Sequence, residues 1–386
     1  MRSGRECDAA TSGSDMAHVV LIESYYGGSH RAWADQWVAH SDHHIALITH
    51  PDQFWRWRLR GGAVTLAELL NAYVATSGCP DAVVISGLVN VAELTGLARS
   101  ALATTPVAVY VHESQLLYPL APNQRADSTA ALANWSSLLA ADVAWFNSQF
   151  HIDALRRALP SLLDAQPTPT HSHLLDRAFE RSTVLWPGVG TNRLIAGTNS
   201  GNDVPRVLWN QRWDHDKNPH SVFAALAQLA ADGVPFTLAL AGQNQRPGTD
   251  EFEWVTNQLG DRIDHVGYLP DDRYQDLLLS SDVVVSAADH EFFGIAIVEA
   301  IAAGAVPLLP NRLSFPELIE PQWHDAVLYG EGDLRTRLRA ILATMSDARD
   351  SIIGLRDSMA RFDATLAAAA HDQAVNDLVA LPSQPW

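Results

Sequence analysis

The residues best suited to chemistry lie in one short stretch, Asp289-His290-Glu291-Phe292-Phe293-Gly294, which runs into an apolar helical segment carrying Glu299. Glu291 and Glu299 are eight positions apart. At about 3.6 residues per turn, the first stays in a strand-to-helix loop and the second falls about two turns into the helix. Gly294 lets the loop backbone come close to a ligand. The free N–H groups at the helix N-terminus suit a diphosphate. The two carboxylates can accept hydrogen bonds from sugar and ribose hydroxyls. Two solvated glutamates near an ordinary helix cap are the plainer alternative, and the loop context favours a site.

Four more constellations fall where a strand ends. Asn210-Gln211-Arg212-Trp213-Asp214-His215-Asp216-Lys217 places two cations, Arg212 and Lys217, where they could neutralise a leaving diphosphate. Surface pairing with Asp214 and Asp216 is the alternative. Glu23-Ser24-Tyr25-Tyr26-Gly27-Gly28-Ser29-His30 forms a first strand-to-helix turn, with Ser29 as the expected helix cap. It lacks G-x-G-x-x-G, so the dinucleotide fingerprint is absent, yet Gly27 and Gly28 still permit close approach of a ligand. His112-Glu113-Ser114-Gln115 points polar groups outward from another strand end, and His112 could serve a sugar hydroxyl or a developing charge. A structural turn and a satisfied structural histidine are the respective alternatives. Residues 54–60 (FWRWRLR) hold Trp55, Arg56, Trp57, Arg58 and Arg60 in an otherwise acidic chain. Arginine on phosphate and tryptophan on an exposed base is how unpaired RNA is gripped. A surface loop with arginine stacked on tryptophan fits equally well. No G-x-S-x-G nucleophile motif occurs.

These motifs must be positioned by a regular scaffold. Apolar runs at 17–23, 44–50, 81–86, 106–111 and 136–146 alternate with helical patterns at 30–40, 65–76 and 91–103. The pattern lapses at about 160–205, where Pro, Thr, Ser, Gly and Asn gather around one short strand at 182–187. It restarts with strands at 205–209, 236–242, 263–267, 282–286, 305–310 and 325–329 and helices at 219–232 and 294–304. Alternation of this kind predicts parallel sheets covered on both faces, and such sheets bind ligands beyond the carboxyl ends of their strands. The expected organisation is a disordered leader at 1–16, a Rossmann-like domain at 17–186, a linker at 187–204 and a second Rossmann-like domain at 205–361. A C-terminal helix at 362–386 could cross back to the first domain.

Bulk properties agree with this plan. At roughly 100–200 residues per domain, 386 residues suit two domains, and 47% hydrophobic residues suit two cores. A net charge of −18 gives little long-range attraction to a polyanion, which argues against an RNA substrate. Two cysteines, Cys7 and Cys79, are too few for a disulfide framework and fit a reducing cytosol. The first fifteen residues lack the apolar core of a signal peptide, and no run approaches the roughly 20 apolar residues of a membrane span.

The stretches at 22–35 (IESYYGGSHRAWAD), 54–60, 112–119 (HESQLLYP), 141–151 (ADVAWFNSQFH), 209–219 (WNQRWDHDKNP) and 286–304 (SAADHEFFGIAIVEAIAAG) resemble the tRNA-queuosine alpha-mannosyltransferases. These are retaining GT-B glycosyltransferases. The resemblance implies an α/β GT-B fold, with two Rossmann-like domains facing each other across a cleft. It implies GDP-mannose as donor and queuosine in a tRNA anticodon as acceptor, in the cytoplasm, with neither a metal nor a further cofactor. Arg212 and Lys217 would hold the diphosphate, together with Asn210 and the amides of residues 292–295. Glu291 would contact the transferred sugar, Glu299 the ribose, and His112 the donor sugar. Gly27, Gly28, Ser29 and His30 would line the acceptor side. Two other functions stay open: transfer to a glycan, lipid or small metabolite, which suits the acidic surface, and a non-catalytic nucleotide-sugar sensor.

Overall fold

A computed structural model describes residues 16–120, 128–199, 201–242 and 250–382. The leader expected at 1–16 lies, apart from Met16, outside them. The described residues form two compact units. One draws on 16–118, 128–188 and 364–382, the other on 119–120 and the described residues between 189 and 363.

The first unit holds a sheet of strands β1 (His18–Tyr26), β2 (His44–Pro51), β3 (Ala82–Ser86), β4 (Val107–Val111), β5 (Val143–Phe146) and β6 (Ser182–Val184). Their order is β2-β1-β3-β4-β5-β6, and every pairing is parallel. Val19 to Ile22 of β1 are completely buried, as expected of a parallel strand covered on both faces. Successive side chains alternate sides. Val20 and Ile22 join a cluster with Ala63, Leu66 and Leu70 of helix α2 (Trp55–Ser77). Val19 and Leu21 join another with Trp33 and Trp37 of helix α1 (Gly28–His40).

That second cluster is completed from the far end of the chain. Helix Ala364–Val379 contributes Ala368, Val375 and Leu378 to it. Trp33 donates its indole N–H to His371 Nε2 at 3.1 Å, and Trp37 donates to Asp372 Oδ1 at 2.9 Å. His371 is therefore held neutral. Burial pushes its pKa down to about 4, against the opposing Ala367 carbonyl and Asp372. The unfolded chain binds this proton at its ordinary value, so stability is full above about pH 6.5 and falls as pH drops towards 4. At 1.36 kcal/mol per pKa unit, the loss from this one site reaches about 3 kcal/mol. His371→Gln keeps an acceptor for Trp33 and removes the titration. Its urea midpoint should change less between pH 7 and pH 5 than that of the unaltered protein. Some slope remains, because His112 is depressed in the same way.

The second unit repeats the plan with β7 (Arg206–Trp209), β8 (Thr237–Ala241), β9 (Ile263–Gly267), β10 (Val283–Val285), β11 (Val306–Pro310) and β12 (Leu328–Tyr329). The order is β12-β11-β10-β7-β8-β9, again all parallel. Each sheet thus has one point where strand order reverses, between β1 and β3 in the first and between β7 and β10 in the second. Open α/β sheets bind ligands beyond the strand ends at such switch points.

Several local expectations are corrected. Helix α1 begins at Gly28 with Gly27 as its cap, so Ser29 lies inside the first turn and caps nothing. The helix expected at 91–103 stops at Leu97, where Ala98 leaves helical geometry (φ −98°, ψ 16°). The strand expected at 325–329 is a turn of helix, His324–Val327, followed by two strand residues. The His324 ring bonds the carbonyls of Pro316 and Ile319, which ties that turn to the preceding one. Among the described residues no helix is long and apolar enough to cross a membrane.

Candidate active site

The second unit's switch point gathers two of the sequence motifs. The loop after β7 carries residues 210–217, and the loop after β10 carries residues 286–294. Their backbones are tied together: Asp289 and His290 donate N–H groups to the Asp216 carbonyl at 2.8 and 3.2 Å. Gln211 Nε2 donates to Ser286 Oγ at 2.8 Å. Arg312, just beyond β11, clamps the second loop through Ala287, Ala288 and Asp289. Gly294 sits at φ +102° as the cap of helix Ile295–Ala302. A side chain there would be strained whatever the space around it.

Lys217 is at the centre. Its Nζ donates to the His290 carbonyl at 2.7 Å and lies 3.2 Å from both Glu291 Oε2 and Asp216 Oδ2. Burial would lower its pKa, but Glu291 and Asp216 outweigh that and raise it, so the ammonium is kept charged. Asp216 is completely buried and faces Arg212 at 3.5 Å and His290 at 3.8 Å as well. Burial would raise its pKa, yet His290, Lys217 and Arg212 hold it well below the ordinary carboxylate range. A buried carboxylate thus fixes both cations singled out from the sequence. In place of surface pairing, Arg212 and Lys217 gather around the buried Asp216.

Glu299 is the fifth residue of its helix, a little over one turn in rather than about two. Burial pushes its carboxyl up to about 7; the Tyr274 hydroxyl opposes this and Asp271 adds to it. Tyr274 donates to Glu299 Oε2 at 3.1 Å and accepts from Asn210 Nδ2 at 3.0 Å. Asn210 Nδ2 also donates to the Ala296 carbonyl at 2.8 Å, while its buried Oδ1 has no hydrogen-bond partner among the described residues. Tyr274 gave no sequence signal, because it stands in a polar helix far from any motif. If ribose hydroxyls bind the ionised Glu299, the donor KM rises as pH falls through about 7. Tyr274→Phe removes the donor that opposes burial, so this inflection should move to higher pH with kcat at the plateau little changed. An unmoved inflection would separate Tyr274 from the function of Glu299.

The first unit's switch point builds a second cluster. Glu23, near the end of β1, is completely buried. Its Oε1 accepts from Ser86 Oγ at 2.9 Å, at the end of β3, and from the Tyr25 N–H at 2.8 Å. His30 Nδ1 lies 3.1 Å from the same oxygen, and His112 Nε2, just past β4, lies 3.5 Å from Oε2. The two imidazoles are in contact, with centroids 4.0 Å apart and planes tilted by 35°. Burial would raise the Glu23 pKa, but His30 and His112 hold it well below the usual range. Burial and His30 push His112 down to about 4, against Glu23 and Glu113. Glu23 is thus an anion between rings, with His112 neutral. The sequence singled out His30 and His112 but gave Glu23 no role.

The remaining acceptor-side candidates lie alongside. Gly27 has no room for a side chain, since a Cβ there would fall 2.0 Å from Asp52 Oδ2, and Gly28 sits at φ +52°. Ser29 is exposed. The basic-aromatic cluster is not a loop: Trp55 to Arg60 form the first turns of α2. The face of Leu59, Gly62, Ala63 and Leu66 is buried there at helical spacing. The Arg56 guanidinium stacks 4.6 Å over the Trp55 ring. Trp57 and Arg60 are exposed, and Arg58 is half-buried.

Among the described residues, two groups could hold a metal by geometry: Glu23, His30 and His112, and Asp214, His215 and Asp216. The second is an Asp-x-Asp triplet. It fits a cation poorly, because Asp216 already faces Arg212, Lys217 and His290. In the first, Glu23 Oε1 is already engaged by a hydroxyl and a backbone N–H.

The architecture is shared with solved glycosyltransferase structures. Sucrose-phosphate synthase from Thermosynechococcus elongatus superposes with a TM-score of 0.69 at 17% identity, covering 94% of this chain and 99% of that one. HepE from Anabaena, in complex with UDP and glucose, gives 0.63 at 18% identity, covering 93% and 100%. Residues 192–352 match the glycosyl transferases group 1 family. The fold and the second unit together define a glycosyltransferase of the GT-B class.

Residues 18–189 match the N-terminal domain of tRNA-queuosine alpha-mannosyltransferase. The chain is 32% identical to the tRNA-queuosine alpha-mannosyltransferase of Drosophila melanogaster, over 78% of this chain and 81% of that protein. It belongs to the tRNA-queuosine alpha-mannosyltransferase family.

Proposed function

We propose that this glycosyltransferase moves mannose from GDP-mannose onto queuosine in tRNA with retention of configuration, in the cytoplasm. The observation that carries the donor half is the contact of Lys217 with both Glu291 and Asp216 beside the start of helix Ile295–Ala302. A cation and helix-start N–H groups suit a diphosphate, and Glu291 next to them suits the sugar joined to it. Asn210 and Glu299 take the nucleoside side. The acceptor half is supported by the match across the first unit and by the activity named for the Drosophila relative.

In this reading the bond from the sugar anomeric carbon to the diphosphate oxygen breaks while a bond to a queuosine hydroxyl oxygen forms on the same face. The acceptor proton passes to the departing phosphate. Arg212 and Lys217 stabilise the charge that grows there, with no metal assigned to that task. His112, neutral, serves a hydroxyl of the bound sugar, and Gly27, Gly28, Ser29 and His30 border the acceptor. Trp55, Arg56, Trp57, Arg58 and Arg60 meet the RNA.

The test is incubation with labelled GDP-mannose and two tRNA pools, one containing queuosine and one lacking it. Label in tRNA from the first pool alone is expected. Label in neither, with label appearing in a small glycan or metabolite, would move the acceptor to the class that the acidic surface favours. Donor bound without turnover on any acceptor would mark a sensor.

A further inference from the structure

We propose that Phe54 and Trp57 form a stacking platform for unpaired RNA bases beside the Gly27–His30 turn. The inference rests on the tRNA reading above and adds how an acidic enzyme holds that substrate: by ring faces on open bases, with little help from long-range charge.

Phe54 and Trp57 are 76% and 64% exposed, at the start of α2 and three positions apart. Trp57 is laid against the helix by Gly61, where a Cβ would come within 2.9 Å of the indole. Phe54 occupies the helix cap in left-handed geometry, φ 56° and ψ 50°, and its side chain caps nothing. Its carbonyl accepts from the N–H groups of Trp57 and Arg58 at 2.7 and 3.0 Å, which fixes the turn. A left-handed cap is the place for Gly or Asn. A large apolar ring there costs backbone strain and water contact, and returns nothing to the core. Features that burden the fold without serving it point to a ligand.

The ligand class follows from charge and place. With a net charge of −18 the chain has no broad field for a duplex backbone. Arg56, Arg58 and Arg60 supply cations on these same two turns, and the Arg56 guanidinium is already stacked on Trp55. An aromatic face can take a base only where the base faces are not covered by pairing and stacking within a helix, which means an unpaired segment. Asp52, two residues before Phe54, packs its carboxylate against Gly27. The platform therefore borders the turn assigned to the acceptor within the same unit.

The test uses the full chain and a fluorescent single-stranded RNA oligonucleotide, compared with the same strand in a duplex, by anisotropy at two salt concentrations. The single strand should bind more tightly. Phe54→Asn should weaken it roughly 5- to 150-fold, the span of one lost base stack. Its salt dependence and its affinity for GDP should stay as they were. Because Asn suits a left-handed cap, the melting temperature should hold or rise, so lost binding cannot be lost folding. Equal binding of single strand and duplex, or unchanged binding by both Phe54→Asn and Trp57→Gln, would overturn the platform. Transfer to queuosine-containing tRNA separates the two claims. Full transfer by Phe54→Asn at unchanged KM for tRNA would sink the platform and leave the acceptor reading standing. Platform-dependent RNA binding by a protein that glycosylates no tRNA would do the reverse.

Discussion

Lys217→Met is expected to lower kcat about a hundredfold to a thousandfold, the usual range for removing a charge aimed at a developing anion. The ammonium touches the His290 carbonyl, Glu291 and Asp216, all within 3.2 Å. In the proposed reaction it lies where negative charge grows on the leaving diphosphate. The same substitution strips a buried carboxylate of one partner, and breaking a buried pair can cost about 3–5 kcal/mol of stability. Asp216 would keep Arg212 at 3.5 Å and His290 at 3.8 Å, which softens that loss. The double variant Asp216→Asn with Lys217→Met separates the effects. It removes both charges, so the melting temperature should recover while turnover stays low. Recovery of turnover to within about tenfold of the unaltered enzyme would show that Lys217 only balances Asp216.

The second unit's site was largely legible because each motif follows directly on a buried strand. Val283–Val285 and Arg206–Trp209 are short apolar runs, and the polar residues after them had to lie at a strand end. The order β9-β8-β7-β10-β11-β12 then makes the two loops neighbours. What the chain did not announce is which partners the cations take. Asp216 looked like a surface ion because it sits in a run of charges, and only the backbone ties from Asp289 and His290 explain its burial. Arg312 and Tyr274 were silent, since each reaches the site from a distant element through a single side chain. Helix α2 was read as starting at about residue 65. Its first turns carry no capping side chain, and their alternating Trp and Arg mask the buried face that begins at Leu59. The final helix owes its role to Trp33 and Trp37, whose indole N–H groups needed acceptors that no neighbour in sequence supplies.

Glu23→Gln is expected to cost about a hundredfold or more in kcat, with small changes in the donor KM and in melting temperature, if the proposed role of His112 holds. Glu23, His30 and His112 meet only because β1 and β3 are adjacent and β4 follows, so no local spacing revealed them. With Oε1 engaged by Ser86, the Tyr25 N–H and His30, Oε2 is left facing His112 Nε2. The negative carboxylate, 3.5 Å from that nitrogen, favours the tautomer with the imidazole proton on Nε2, which leaves Nδ1 as an acceptor. Gln is close to Glu in size and can keep the Oε1 contacts, but its amide presents N–H to His112 Nε2. The ring must then carry its proton on Nδ1, and the group it offers a ligand changes from acceptor to donor. A purely structural Glu23 would instead show its loss in the melting temperature, with kcat nearly intact. The split between kcat and KM, read alongside an unchanged melting temperature, distinguishes a carboxylate that sets the tautomer of a working histidine from one that merely fills the strand end.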